Sequence, residues 1–388
     1  MKGNDANMVA SRPALSVLPS AREKNEVSRP LSKAPNEIAP EISFMDTVLR
    51  EVRRTERSGR PFVLALVSDT SCAGGEEMRN SQEIAAAITA ATRETDCLGW
   101  YEQNTVLGVL LTEIGEADQT KLALLSQKIF SALEQWVSQE QFRALRVVVR
   151  LFPQHSSEDG GGGWEGDIYR DVHRQLDSDS PEKFMKRAID IAASLLALLV
   201  FSPILVVIAV LIKLTSRGPV LYCQKRVGQY GRLFDFYKFR SMFVNNDPKI
   251  HQDYVAKLIE GVQHVRQSNG LYKLVNDPRV TQVGRVLRHT SLDELPQFFN
   301  VLRGDMSLVG PRPPVPYEFE RYRTWHRRRV LEIKPGLTGL WQVKGRSRTT
   351  FDEMVRMDLH YARTRSLWLD LKIILQTPAA MFRGTGAA

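Results

Sequence analysis

The spacing of apolar and polar positions divides the chain into unlike stretches. Residues 1–43 are rich in Ser, Pro, Asn and Ala and show no apolar period, which predicts a disordered tail. Periodicity begins after it. Residues 62–67 form a continuous apolar run and read as a buried strand, and residues 80–93 place Ile84, Ala87, Ile88 and Ala91 on one helical face. Two short apolar runs, 97–101 and 106–111, flank a polar turn and predict a hairpin; a helix over 117–137 and a strand over 145–152 follow. The order β-α-β-β-α-β predicts a ferredoxin-like sandwich over 44–153. Residues 154–183 combine a run of four glycines with Ser and Asp and read as a flexible acidic linker.

The strongest apolar signal lies beyond that linker. Residues 191–212 carry no charge for 22 positions, enough to cross a bilayer as a helix. Ser202-Pro203 interrupts the run, and proline removes an intrahelical hydrogen bond. Basic residues flank both ends: Lys183, Lys186 and Arg187 before, Lys213 and Arg217 after. A span usually shows basic bias at one end only. These features favour, slightly, a helix over 186–213 that enters, breaks at Ser202 and Pro203 and returns, with hydroxyls such as Ser194 or Ser202 satisfying the freed backbone groups.

Charge sharpens the division. The formal net charge is +9, but up to residue 180 there are 20 basic and 27 acidic residues, against 33 and 17 beyond it. A basic C-terminal part suits nucleic acid, anionic lipid or a polyphosphate substrate. The overall composition, 43% hydrophobic and 25% charged, excludes a wholly disordered chain and a many-span membrane protein. Cys72, Cys97 and Cys223 lack the spacing of a disulfide framework or zinc site, which predicts a reduced, cytoplasm-facing protein; the first apolar stretch is too weak for a signal peptide.

Two stretches carry candidate chemistry. Residues 218–242 read as a hairpin with a Gly-rich turn at 228–231, and alternation puts Lys238 and Arg240 on one face as a phosphate-binding pair. In residues 288–312, Ser291-Leu-Asp-Glu294 fits a capping box, so Asp293 and Glu294 are expected in a helix's first turn. Arg288, Arg303 and Arg312 share the stretch, and Gly310-Pro-Arg-Pro313 is a rigid turn that would hold Arg312. A carboxylate among arginines is what attack on an anionic phosphate requires, with cations, Mg²⁺ among them, offsetting the repulsion. Nearer the C-terminus, Tyr317, Phe319, Tyr322 and Trp325 interleave with arginines, and Trp368 opens an apolar run. Both suit lipid headgroups; for the first, a helix packed on its own domain is an equal reading. No RNA-binding pattern accompanies them, so nucleic acid is not an expected partner.

Residues 184–388 resemble the bacterial sugar transferases, the monotopic polyprenyl-phosphate phosphoglycosyl transferases. The resemblance rests on Lys186-Arg-Ala-Ile-Asp190, Ser202-Pro203, Lys238-Phe-Arg-Ser-Met242, Asp293-Glu-Leu-Pro-Gln297, Asn300-Val, Met306-Ser-Leu-Val-Gly-Pro-Arg-Pro313, Pro335-Gly-Leu-Thr-Gly339, Trp341-Gln342 and Leu367-Trp-Leu-Asp370. It implies an α/β catalytic domain with a re-entrant membrane helix at the cytoplasmic face of the bacterial inner membrane. It implies transfer of a sugar 1-phosphate from a UDP-sugar to undecaprenyl phosphate, with release of UMP, at the start of exopolysaccharide or glycan assembly. Asp293 would be the nucleophile of a covalent phospho-sugar intermediate, Glu294 would assist, Mg²⁺ would bridge Asp293 and the diphosphate, and Lys238, Arg288 and Arg312 would hold phosphates. The long segment after Pro313 slightly favours a hexose. The alternative is a membrane scaffold or cyclic di-GMP-responsive regulator that retains the fold.

The N-terminal sandwich resembles a degenerate GGDEF domain. Glu102-Gln-Asn-Thr-Val106 stands where active cyclases carry glycines and metal-binding acids, which implies a non-catalytic domain. Arg93 and Asp96 have the spacing of a cyclic di-GMP inhibition site; a scaffold or dimerisation domain is the plainer reading. The expected class is α+β, and a homodimer is compatible with it.

Overall fold

The computed structural model describes residues 38–71, 77–115, 119–153, 163–176, 181–244, 249–259, 279–345 and 349–383. The expected tail lies outside the described residues up to position 37; its last residues are structured, because Ala39 bridges to Gly99 and helix α1 begins at Glu41.

The N-terminal elements are α1 (Glu41–Ser58), β1 (Phe62–Asp69), α2 (Ser81–Ala91), β2 (Cys97–Glu102), β3 (Val106–Leu111), α3 (Gln119–Trp136), α4 (Gln139–Ala144) and β4 (Leu145–Phe152). The strands form one sheet in the order β2-β3-β1-β4, with antiparallel neighbours throughout. Helices cover both faces. Ile84, Ile88 and Leu133 of α2 and α3 meet Val63, Ala65 and Val109 on one; Phe44, Met45, Val48 and Val52 of α1 meet Phe62, Leu64 and Leu110 on the other. Sheets buried on both faces read as unbroken apolar runs, which is why the strands were legible. Helix α1 docks through a slot. Gly99 and Gly108 are cross-strand partners, and a Cβ on Gly99 would stand 2.7 Å from the Phe44 ring.

Next come α5 (Gly163–Leu176), α6 (Pro181–Thr215), β5 (Leu221–Val227), β6 (Leu233–Phe239), α7 (Lys249–Ile259), α8 (Gln282–Thr290), α9 (Gln297–Arg303) and β7 (Ser307–Val309). After β7 lie α10 (Pro316–Glu320), α11 (Thr324–Leu331), β8 (Gly336–Thr338), α12 (Leu340–Lys344), α13 (Phe351–Thr364) and α14 (Leu367–Arg383). Strands β5 and β6 pair antiparallel, β7 and β8 parallel.

Where a flexible linker was expected over 154–183, the structure has helix α5. Its Ile168, Tyr169 and Val172 are buried, a one-sided apolar pattern that the glycines and acids around it obscure. The same helix joins the two halves. The Tyr169 hydroxyl donates to Glu56 at 2.5 Å, Arg327 reaches Glu165 at 3.3 Å, and Arg328 lies between Glu56 (3.5 Å) and Glu332 (2.6 Å). Burial raises the Glu56 carboxyl above its usual range, although Tyr169 and Arg328 oppose the rise. One apolar cluster runs from Phe44 through Tyr169 to Phe319, Tyr322 and Phe351. Acidic and basic halves therefore meet at a packed junction.

Where a break was expected at Ser202 and Pro203, helix α6 runs unbroken from residue 181 to 215, because a serine hydroxyl takes up the carbonyl that the proline leaves unpaired. Proline cannot bond the carbonyl four residues back, that of Leu199, and the Ser202 hydroxyl donates to that oxygen at 2.8 Å. The helix is long and apolar enough to cross a membrane, and Leu195, Leu199, Val200 and Val206 stand exposed on it. Both its ends are fastened to the C-terminal body. Lys186 pairs with Asp370 at 2.5 Å, and Arg187 donates to the carbonyls of Val301 and Leu302; Ile208 and Ile212 pack with Phe239 and Leu287.

Filling the glycine slot should unseat α1. Gly108→Val is expected to destabilise the protein by about 1–3 kcal/mol, as overpacked cores do. The loss should shrink in a Phe44→Ala background, where the ring is gone; thermal unfolding of the two pairs checks this.

Candidate active site

The site is assembled where the β5–β6 hairpin meets the turn after α8. Asn300, on α9 and wholly buried, locks the two together: its Oδ1 accepts from Tyr237 N at 3.0 Å and its Nδ2 donates to Asp235 O at 2.6 Å. That fixes β6, and with it Lys238, against the segment that carries Asp293 and Glu294.

The expected capping box is absent. Ser291 ends α8 in the left-handed conformation (φ 57°, ψ 19°) and makes no side-chain cap hydrogen bond. An N-cap needs extended backbone, and the left-handed turn with which Ser291 closes α8 denies it that geometry. Leu292–Glu294 instead form a single 3₁₀ turn before α9, which buries Asp293 and leaves Glu294 half-buried.

Around this turn the cations are drawn out of water. Lys238 is half-buried with its ammonium 5.1 Å from the centroid of the Tyr222 ring. Burial pushes its pKa down to about 8; Asp293 and Glu294 resist the fall, while Arg226 and Arg288 add to it. Arg226 lies over the Phe236 ring at 4.9 Å, donates to Pro313 O at 2.7 Å, and is pushed down to about 10 by burial and by Arg312. Arg312 stands 3.8 Å from Glu318. Burial would raise Glu318, but Arg312, the Tyr322 hydroxyl and Arg226 outweigh it and hold the carboxyl below its usual range. Asp293, Glu294, Arg226 and Arg288 thus all act on Lys238, and Arg312 joins them through Arg226.

Arg240 has another role. Strand β6 ends at Phe239, so alternation no longer aims the next side chains. The buried Arg240 guanidinium donates to the carbonyl (2.8 Å) and hydroxyl (2.7 Å) of Ser216, just past the end of α6. The aromatic-basic segment after Pro316 follows the packed reading: Phe319, Tyr322, Arg328 and Arg329 are buried. Trp368, Leu371 and Leu375 of α14 are exposed. Asp96 serves its own turn, accepting from Arg93 N at 2.8 Å and Thr112 N at 3.4 Å, while Arg93 is exposed.

Sequence reasoning missed Arg226, Glu318 and the purpose of Asn300. Register could have found Arg226. Tyr222 faces Lys238, Gln224 faces Phe236 and Arg226 faces Phe234, so Arg226 shares the Lys238 face of the hairpin.

The site can hold an anion beside a buried carboxylate. Adjacent Asp293 and Glu294 suit a magnesium ion shared with phosphate oxygens, since Mg²⁺ commonly takes only one or two protein carboxylates. Among the described residues no group of three His, Cys, Asp or Glu could form a closed metal cage.

Comparison with known families matches residues 181–384 to the bacterial sugar transferases. The undecaprenyl-phosphate galactose phosphotransferase of Salmonella typhimurium is 44% identical over 206 residues, covering 53% of this chain and 42% of the relative. The UDP-glucose:undecaprenyl-phosphate glucose-1-phosphate transferase of Klebsiella pneumoniae is 46% identical over 207 residues, 51% and 40% of the two chains. The exopolysaccharide production protein ExoY of Sinorhizobium fredii is 40% identical over 202 residues, covering 52% of this chain and 87% of its own. The matched region spans under half the length of the first two.

Lys238 sets a pH limit on anion binding. Its charge is lost as pH rises through about 8. Diphosphate affinity should therefore fall across that range in the parent more than in Lys238→Arg, which stays charged; calorimetry at pH 7 and pH 9 on both proteins tests it.

Proposed function

The chain belongs to the bacterial sugar transferase family, and from that premise we propose that it transfers a hexose 1-phosphate from a UDP-sugar to undecaprenyl phosphate, releasing UMP. The observation that carries this reading is the buried Asp293 carboxylate, with Glu294 beside it, in the field of Lys238, Arg226 and Arg288. The names of the two longer relatives, one for galactose and one for glucose, support a hexose donor.

The chemistry proceeds in two displacements. A carboxylate oxygen of Asp293 attacks the phosphorus that bears the sugar. The bond from that phosphorus to the bridging oxygen breaks, and UMP leaves with the electron pair. An oxygen of the lipid phosphate then attacks the same phosphorus, the Asp293–phosphorus bond breaks, and the carboxylate is restored. The covalent intermediate lets a soluble donor and a lipid acceptor use one site in turn. Lys238, Arg288 and Arg312 hold the phosphates, and Arg226 adds to their field; cations fixed before the reaction stabilise the charge that develops. Asp293 and Glu294 are the residues that would hold Mg²⁺, whose chemistry is neutralisation of the diphosphate.

The site works at the cytoplasmic face of the bacterial inner membrane, with α6 as a monotopic anchor whose two ends both stay with the C-terminal body. Its support is mechanical. A span separates its ends by the bilayer, whereas here the start of α6 is held by Asp370 and α9, and its end by Phe239 and Leu287 of the same body. The N-terminal part is read as a ferredoxin-like, degenerate GGDEF-type scaffold. The β2-β3-β1-β4 sheet order supports it, as do Asn104 and Thr105, which stand where active cyclases carry acids.

The test is UMP release from UDP-glucose, UDP-galactose and UDP-N-acetylglucosamine in the presence of undecaprenyl phosphate. The parent should release UMP from a hexose donor and take up radiolabelled sugar phosphate covalently. Asp293→Asn should lose both, by at least ~10³-fold. Labelling that persists in Asp293→Asn overturns the nucleophile assignment, and no release from any donor overturns the transferase reading.

A further inference from the structure

The Gly310-Pro-Arg-Pro-Pro314 turn poses a hydrogen-bonding problem. Three of residues 311–314 are prolines, so the turn has almost no backbone N–H of its own, yet it carries a full set of carbonyls. Four successive oxygens are satisfied from outside. Pro311 O accepts from Gly336 N at 2.9 Å, Arg312 O from Arg329 Nη2 at 3.0 Å, Pro313 O from Arg226 Nη1 at 2.7 Å and Pro314 O from Val227 N at 2.9 Å. Two of these donors are main chain in or beside strands, and Arg226 belongs to the cation cluster. Arg329 comes from α11, is 1% exposed, and stands apart from the cations that act on Lys238.

Its guanidinium reaches in three directions. Besides Arg312 O, Nη1 donates to the Tyr322 hydroxyl at 3.2 Å, and Nε stands 2.8 Å from Asp358 on α13. The Tyr322 hydroxyl in turn donates to Glu318 Oε1 at 2.7 Å, and the other Glu318 oxygen lies 3.8 Å from the Arg312 guanidinium. Arg329 therefore holds Arg312 twice, directly at its carbonyl and through Tyr322 and Glu318 at its side chain.

We propose that Arg329 is the positioning residue of the Arg312 anion site, with Asp358 as its buried counter-ion. The inference rests on the reading that Arg312 holds the donor's phosphate. A buried ion pair is weak support for stability, because desolvation offsets most of the attraction. Asp358 reflects this: burial lifts its carboxyl to about 6 even beside Arg329. What the pair supplies is direction, since a planar guanidinium anchored at three points cannot be matched by a lysine.

The test is a double-mutant cycle on the full-length protein, with UDP and Mg²⁺ as the probe in calorimetry. Arg329→Lys should weaken UDP binding about tenfold in the parent and leave it unchanged in an Arg312→Ala background. Tyr322→Phe, which removes the relay hydroxyl without unpairing a buried charge, should act in the same sense by a few fold and keeps the test open if Arg329→Lys fails to fold. Equal losses in both backgrounds, or none, overturn the positioning role while the transferase reading stands. A parent that does not bind UDP overturns both.

Discussion

A cation held near a buried carboxylate must be close enough to matter, and a cation in close quarters loses its water. That conflict shapes the C-terminal half of this protein. Lys238 and Arg226 are shifted toward neutrality by the burial that makes them effective, and each is given compensation: Asp293 and Glu294 for Lys238, backbone carbonyl and aromatic ring for Arg226. Arg312 is steadied by Glu318, which stays ionised because cations surround it. Asn300 serves the same end, since a hairpin free to shift would separate Lys238 from the turn that bears Asp293. The cluster holds more positive than negative groups, which is the condition for receiving a polyphosphate.

The apolar helix answers a second constraint. Under the proposed function, a site that serves a soluble nucleotide sugar and a lipid phosphate has to lie at the headgroup boundary. Fixing both ends of α6 to the body that bears Asp293 would then set the depth of that body relative to the lipid. Arg240 belongs to this arrangement, because it ties the strand carrying Lys238 to the end of α6.

Much of this was legible before the fold was. The strands of the N-terminal sheet, the hairpin, the apolar helix and the Asp-Glu pair are each written locally, in apolar runs or adjacent residues. What escaped depends on partners far along the chain. Helix α1 was unread because Phe44, Met45, Val48 and Val52 are spaced among charges, and its seat is a pair of glycines on other strands. Ser291 has the residue type of a cap and the wrong backbone, because α8 ends on it. Arg240 falls one residue past its strand. Arg226, Glu318 and Arg329 matter through the proline-rich turn, which no spacing rule connects to them.

The junction on α5 also bears on the order in which the molecule can be completed. Glu165 and Arg327 are 162 residues apart, and Glu56 precedes its partner Arg328 by more. During synthesis the N-terminal sheet, whose hairpin is local, has all its strands well before α11 exists. Until then Glu56 and Glu165 lack Arg328 and Arg327, and the apolar side of α5 has only α1 and the turn at 229–231 to pack on. The acidic surface of the first half is thus a template kept open for the last third of the chain, and closing it marks the stage at which Arg312 can be held in place.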